Sequence, residues 1–166
     1  MRRFTHERRR LLVATLAAGL LVLGAQSASA TNSHPSFKAT FSGGIGFNAD
    51  GTISFVGSGS ATRMGHITNH GTIFITGDGS CPGGKTNTNT ETLTDNDGNT
   101  LTITSHDVGC PIGPGLFHGT GNWTVTSGTG RYAGASGSGT ADGYTDFNSG
   151  TFTMTLSGTL SIPADG

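Results

Sequence analysis

Glu91 lies in a run where every second residue is threonine, from Thr86 through Thr88, Thr90 and Thr92 to Thr94, so it shares the other parity with Asn87, Asn89 and Leu93. On a strand that parity is one face. A carboxylate beside Leu93 on a buried face has its pKa raised by burial, and such a group can pass a proton or orient a polar part of a ligand. The plain alternative is a carboxylate in water at the mouth of a barrel. Glu91 is the one acid the chain offers as a catalytic candidate. Phe55, Phe74, Trp123, Tyr144 and Met154 are the large side chains expected to line a pocket with it; their other reading is ordinary core, the commoner fate of such residues.

Other chemistries find little support. His34, His66, His70, His106 and His118 are scattered, and a metal site would need residues from separate strands to converge, so no metal and no cofactor is expected. The run Asp95-Asn96-Asp97-Gly98-Asn99 opens like a calcium loop, but Thr100 stands where the loop needs glycine and His106 where it needs a bidentate glutamate. A hairpin turn explains it without metal. The chain contains no Gly-x-Ser-x-Gly elbow and no His-Glu-x-x-His.

The first thirty residues read as a targeting segment: Arg2, Arg3 and Arg8 to Arg10, an apolar run from Leu11 to Leu23, then Ala28-Ser29-Ala30 as a small-residue cleavage site. Cleavage after Ala30 and export are expected, by the general or the twin-arginine route, with no membrane span in the mature form. Residues 31–166 then form one domain. They carry four basic residues, Lys38, Arg63, Lys85 and Arg131, against nine acids, a net charge of −5 with histidine neutral. Without a basic patch, nucleic acid is excluded as a partner.

That domain is rich in threonine and glycine, and its large apolar residues recur at every second position. Threonine suits the wet face of a sheet and glycine its bends and crowded interior, so the chain is all-β. Phe37, Ala39 and Phe41 read as a first strand, Ile45 and Phe47 as a second, and Asn48 to Gly51 as a hairpin loop leading to Ile53 and Phe55. Gly57 to Thr68 reads as a bulged strand, Asn69-His70-Gly71 as a turn, and Ile73 to Ile75 as the next strand.

The hairpin around Glu91 can be registered from its turn. Asn96-Asp97-Gly98 suits a three-residue loop with Gly98 left-handed, which sets Asp95 opposite Asn99, Leu93 opposite Leu101 and Glu91 opposite Ile103. Cys81 and Cys110 fall just beyond the open end of that hairpin, where an even pair in an exported chain forms a disulfide. In the stretch from Gly119 to Gly139, Trp123 and Val125 alternate with threonines. Thr129 then caps one helical turn that swings Tyr132 across a barrel end as a plug, with Gly134 left-handed behind it. Phe152, Met154, Leu156, Leu160 and Ile162 close the chain on one parity. Eight or nine strands at hairpin spacing favour a closed antiparallel barrel, with a two-sheet sandwich as the alternative.

The run Gly128-Thr-Gly-Arg-Tyr-Ala-Gly-Ala-Ser-Gly137, preceded by Gly121-Asn-Trp-Thr-Val125 and by Gly59-Ser-Ala-Thr-Arg-Met-Gly65, resembles the allene oxide cyclase and dirigent-like barrel superfamily, especially its exported bacterial members of unknown role. The likeness spans about residues 52 to 162. It implies a barrel whose interior is a shaped, mostly apolar pocket, used in some members for ring closure and in dirigent members to steer radical coupling. The motif is a turn-and-strand signature that speaks for fold more than activity. The expected function is therefore a secreted barrel that binds a small hydrophobic molecule without turnover; the alternative is a cyclase-like, isomerase-like or dirigent-like enzyme.

Overall fold

Period-2 alternation is carried through eight strands: β1 Ser36–Phe47, β2 Ile53–Ala61, β3 Gly65–Asp78, β4 Lys85–Asp95, β5 Thr100–Gly113, β6 Leu116–Gly128, β7 Ser136–Asp146 and β8 Thr151–Ser161. This computed structural model describes residues 35–164; the expected targeting segment, its expected cleavage point and His34 lie outside them. Each strand pairs antiparallel with the next, and β1 pairs with β8, so the sheet closes into a barrel and leaves no edge. Eight strands enclose a space that side chains just fill or that holds one small ligand.

Two expected breaks are absent. The expected first two strands are one, β1, and Asn69-His70-Gly71 is the middle of β3 rather than a turn. The glycines that suggested those breaks serve packing. A Cβ on Gly71 would collide with the Phe55 ring and stand 2.8 Å from the Glu91 Cβ, so glycine is what lets those two side chains occupy the interior there. The true reversal is at Thr62-Arg63-Met64, where Arg63 takes φ 70° and Gly65 φ 75°.

The β4–β5 register is the expected one: Leu93 pairs with Leu101 and Glu91 with Ile103, while Gly98 sits at φ 81°. Cys81 and Cys110 are bonded and tie the β3–β4 connection to β5. After β6 a single 3-10 turn, Gly130–Tyr132, lays Tyr132 across one barrel end with no solvent exposure. Gly134 follows at φ 72°. Thr129 holds the cap position, but its hydroxyl bonds Thr100 across the strands instead of capping the turn.

The plug is held by Asp95. Its carboxylate accepts from the Tyr132 hydroxyl at 3.0 Å, from the backbone N–H groups of Asp97 and Asn99, and from the Arg131 guanidinium at 2.8 Å. Burial pushes the Asp95 carboxyl up, but the bonds from Asn99, Tyr132 and Asp97 outweigh it and hold the group below its ordinary value. Behind the plug, Ile67, Leu93, Leu101, Trp123, Leu156 and Leu160 fill this half of the barrel completely.

Candidate ligand-binding site

The other half of the barrel is built differently. Toward the starts of β4 and β6 and the ends of β5 and β7 the inward positions pass from leucine and isoleucine to Asn87, Asn89, Gly119, Asp107, Gly109 and Gly143, and a hollow opens along the axis. The result is a cavity of about 160 Å³ entered from the end opposite Tyr132, with Ile53, Ile73, Phe117, Phe147 and Met154 as apolar wall. A smaller space of about 30 Å³ shares Ile73, Asn89 and Met154 with it as wall and is lined further by Phe41, Phe55 and Glu91. At the rim, Phe117 and Phe147 meet edge to face at 5.3 Å and Phe47 packs on Phe147 at 5.6 Å. Phe47 is also 69% exposed, so the entrance is apolar on its solvent side too.

The floor is polar and buried. Asn69, Asn89, Glu91, Ser105 and Asp107 are each at least nine-tenths buried. Asn69 Nδ2 donates to Glu91 Oε2 at 3.4 Å, Asn89 Nδ2 donates to Asp107 Oδ2, and the Ser105 hydroxyl donates to the same Asp107 oxygen at 2.8 Å. Burial pushes the Glu91 carboxyl up to about 7, against the Asn69 bond and with a contribution from Asp107. Asp107 is also raised by burial, in spite of the Ser105 bond and the nearby His106. Gly121 makes room for it: a Cβ there would collide with Asp107 Oδ1 and the His106 carbonyl.

Of the residues expected at the site, Phe55, Glu91 and Met154 are brought together on its walls. Phe74 and Tyr144 are not: they face outward and are about half exposed, and Tyr144 stacks on His118 at 4.6 Å on the outer surface. Phe74 lies between two inward-parity isoleucines, Ile73 and Ile75, so an all-apolar triplet hides which face its middle residue takes. Trp123 is fully buried in the filled half, where its ring meets Phe37 and its N–H donates to the Thr140 carbonyl. It is core, not cavity wall.

Asp107 escaped the sequence reading although its signal was present. The register that sets Glu91 opposite Ile103 also sets Asn87 opposite Asp107, which puts both on the inner face. Among the described residues no group of His, Cys, Asp or Glu is arranged to hold a metal ion, and no helix is long and apolar enough to cross a membrane. The chain matches no family model, and no curated protein or solved structure is significantly similar to it. The site must be read from its own chemistry.

Proposed function

We propose that this protein is an exported barrel that takes a small molecule with an apolar body into its open half, binding it without turnover. The observation that supports this most is the pairing of an apolar wall with buried polar atoms that lack partners: Asn87, Asn89 and Asp107 line the cavity, and each has a side-chain oxygen that accepts no hydrogen bond. Such atoms are rare in folded interiors, and an incoming molecule or water is what satisfies them. The volume, about 160 Å³, is close to that of engineered cavities of about 150 Å³ that take benzene, so a single ring is the right size. The targeting segment and the disulfide support an extracellular setting, and the turn-and-strand signature supports the allene oxide cyclase and dirigent-like barrels as relatives.

Toluene added to the protein is expected to shift the NMR signals of Ile73 and Met154 with a Kd of about 0.1 to 1 mM. Gly119→Leu is expected to weaken that binding at least about tenfold. A Cβ at Gly119 meets only the Gly143 carbonyl, at 3.9 Å, so the backbone accepts the new side chain and the cavity receives it. No shift at either residue in the wild-type protein overturns the reading.

A catalytic reading is favoured by one feature, the Glu91 carboxyl raised to about 7 beside an enclosed space. A group so poised suits proton transfer near neutral pH. Once a converted substrate is in hand, unchanged turnover in Glu91→Gln removes that role.

A further inference from the structure

The buried polar atoms of the cavity floor are all of one kind. An ionised carboxylate only accepts, so with Glu91 and Asp107 ionised, Asn69 and Asn89, each bonded to one, present the amide nitrogen to it and turn the oxygen away. Asn69 Oδ1 and Asn89 Oδ1 are in consequence buried without a donor, and so are Asn87 Oδ1 and Asp107 Oδ1. Among the described residues every side-chain atom left buried and unpaired is an oxygen. What the floor lacks is donors.

It also lacks positive charge. The one basic side chain on the cavity wall, Lys85, has its ammonium on Asp78 at 2.6 Å, and both partners are well exposed at the rim. Of the three buried carboxylates only Asp95, at the plugged end, is paired with a cation; Glu91 and Asp107 have none among their hydrogen-bond partners. An ammonium group offers three donors, no acceptor and the complementary charge, and three of the unpaired oxygens belong to residues that line the cavity.

We infer that the pocket selects small primary amines, with the hydrocarbon part against Ile73, Phe117 and Met154 and the ammonium on the floor formed by Asn87, Asn89 and Asp107. This rests on the reading of the cavity as a ligand site. Carboxylate-bearing molecules of the same size are rejected, because they would bring a further acceptor and a like charge onto a surface of acceptors.

The test compares benzylamine, benzyl alcohol and benzoate by calorimetric or NMR titration of the wild-type protein at about pH 8, where surface carboxylates are ionised. Benzylamine is expected to bind at least about tenfold tighter than benzyl alcohol, a difference of about 1.4 kcal/mol, and benzoate not measurably. Asp107→Asn is expected to bring benzylamine down to the affinity of benzyl alcohol. Equal affinities for amine and alcohol in the wild type overturn the amine preference while leaving the ligand site standing, since water then satisfies the floor. Benzylamine preference that survives in Asp107→Asn overturns the assignment of the floor as its cause. Failure of all three probes and of toluene overturns the amine reading together with the ligand site itself.

Discussion

Tyr132→Ala is expected to lower the stability of the barrel by about 4 kcal/mol, the largest single effect in the molecule. The ring is completely buried at the closed end, and deletion of a buried aromatic side chain removes its transfer energy and leaves a void, together about 3 to 5 kcal/mol. Its hydroxyl also donates to Asp95 and accepts from Arg131 Nε at 2.7 Å. Tyr132→Phe separates the two contributions. Loss of the hydroxyl alone leaves the Asp95 carboxylate with its turn bonds and Arg131, so about 1 kcal/mol is expected for it. Urea unfolding of both variants gives the comparison. A loss of less than about 1 kcal/mol for the alanine variant would mean that the plug does not close the barrel.

Glu91→Gln is expected to have the opposite sign and a strong pH dependence. The carboxyl of Glu91 is raised from 4.5 in the unfolded chain to about 7 in the folded one, with burial as the main cause. A raised carboxyl favours the folded state only while it stays protonated. Below about pH 4.5 it is neutral in both states and adds no penalty; between about pH 4.5 and 7 the unfolded chain ionises first and stability falls; above about pH 7 the full penalty of a buried charge is in place. That penalty is about 3 kcal/mol. Glutamine keeps an oxygen for the Asn69 amide to bond and never ionises. The variant should therefore match the wild type at about pH 4 and exceed it by about 3 kcal/mol at about pH 8, measured by urea midpoints at the two values. Equal stability at both pH values would show that the barrel interior around Glu91 is wet.

Much of what carries these expectations was legible in the residues. Asn96-Asp97-Gly98 fixed a hairpin register, and the register placed Glu91 inside with Leu93 and Leu101. The turn at Thr129 and Gly130 marked Tyr132 as a plug, and the cysteine pair marked the crosslink. Local pattern failed where glycine was read by its commonest use. Asn69-His70-Gly71 has the composition of a turn, yet in a narrow barrel a strand must pass the Phe55 ring and the Glu91 stem, and Gly71 is the residue that can. Parity failed in a second way at Phe74 and Tyr144. Phe74 stands inside the apolar triplet Ile73 to Ile75, and Tyr144 follows Gly143, an inward position with no side chain to mark the parity, so the face each aromatic takes is set by neighbours in other strands. The hollow itself had a visible cause only in part: Asn87 and Asn89 shared a face with Glu91, but a cavity arises from inward glycines on three other strand segments, Gly109, Gly119 and Gly143, which converge only once the barrel closes.

One barrel, stoppered by Tyr132 at one end and hollow at the other, is the arrangement on which ligand entry, amine selection and the Glu91 profile all depend. Xenon-pressurised crystals examine it directly, since xenon settles in apolar space without needing a matching head group. Density is expected between Ile73, Phe117 and Met154 and nowhere beside Trp123. An empty mouth, or xenon lodged against Trp123, would contradict it.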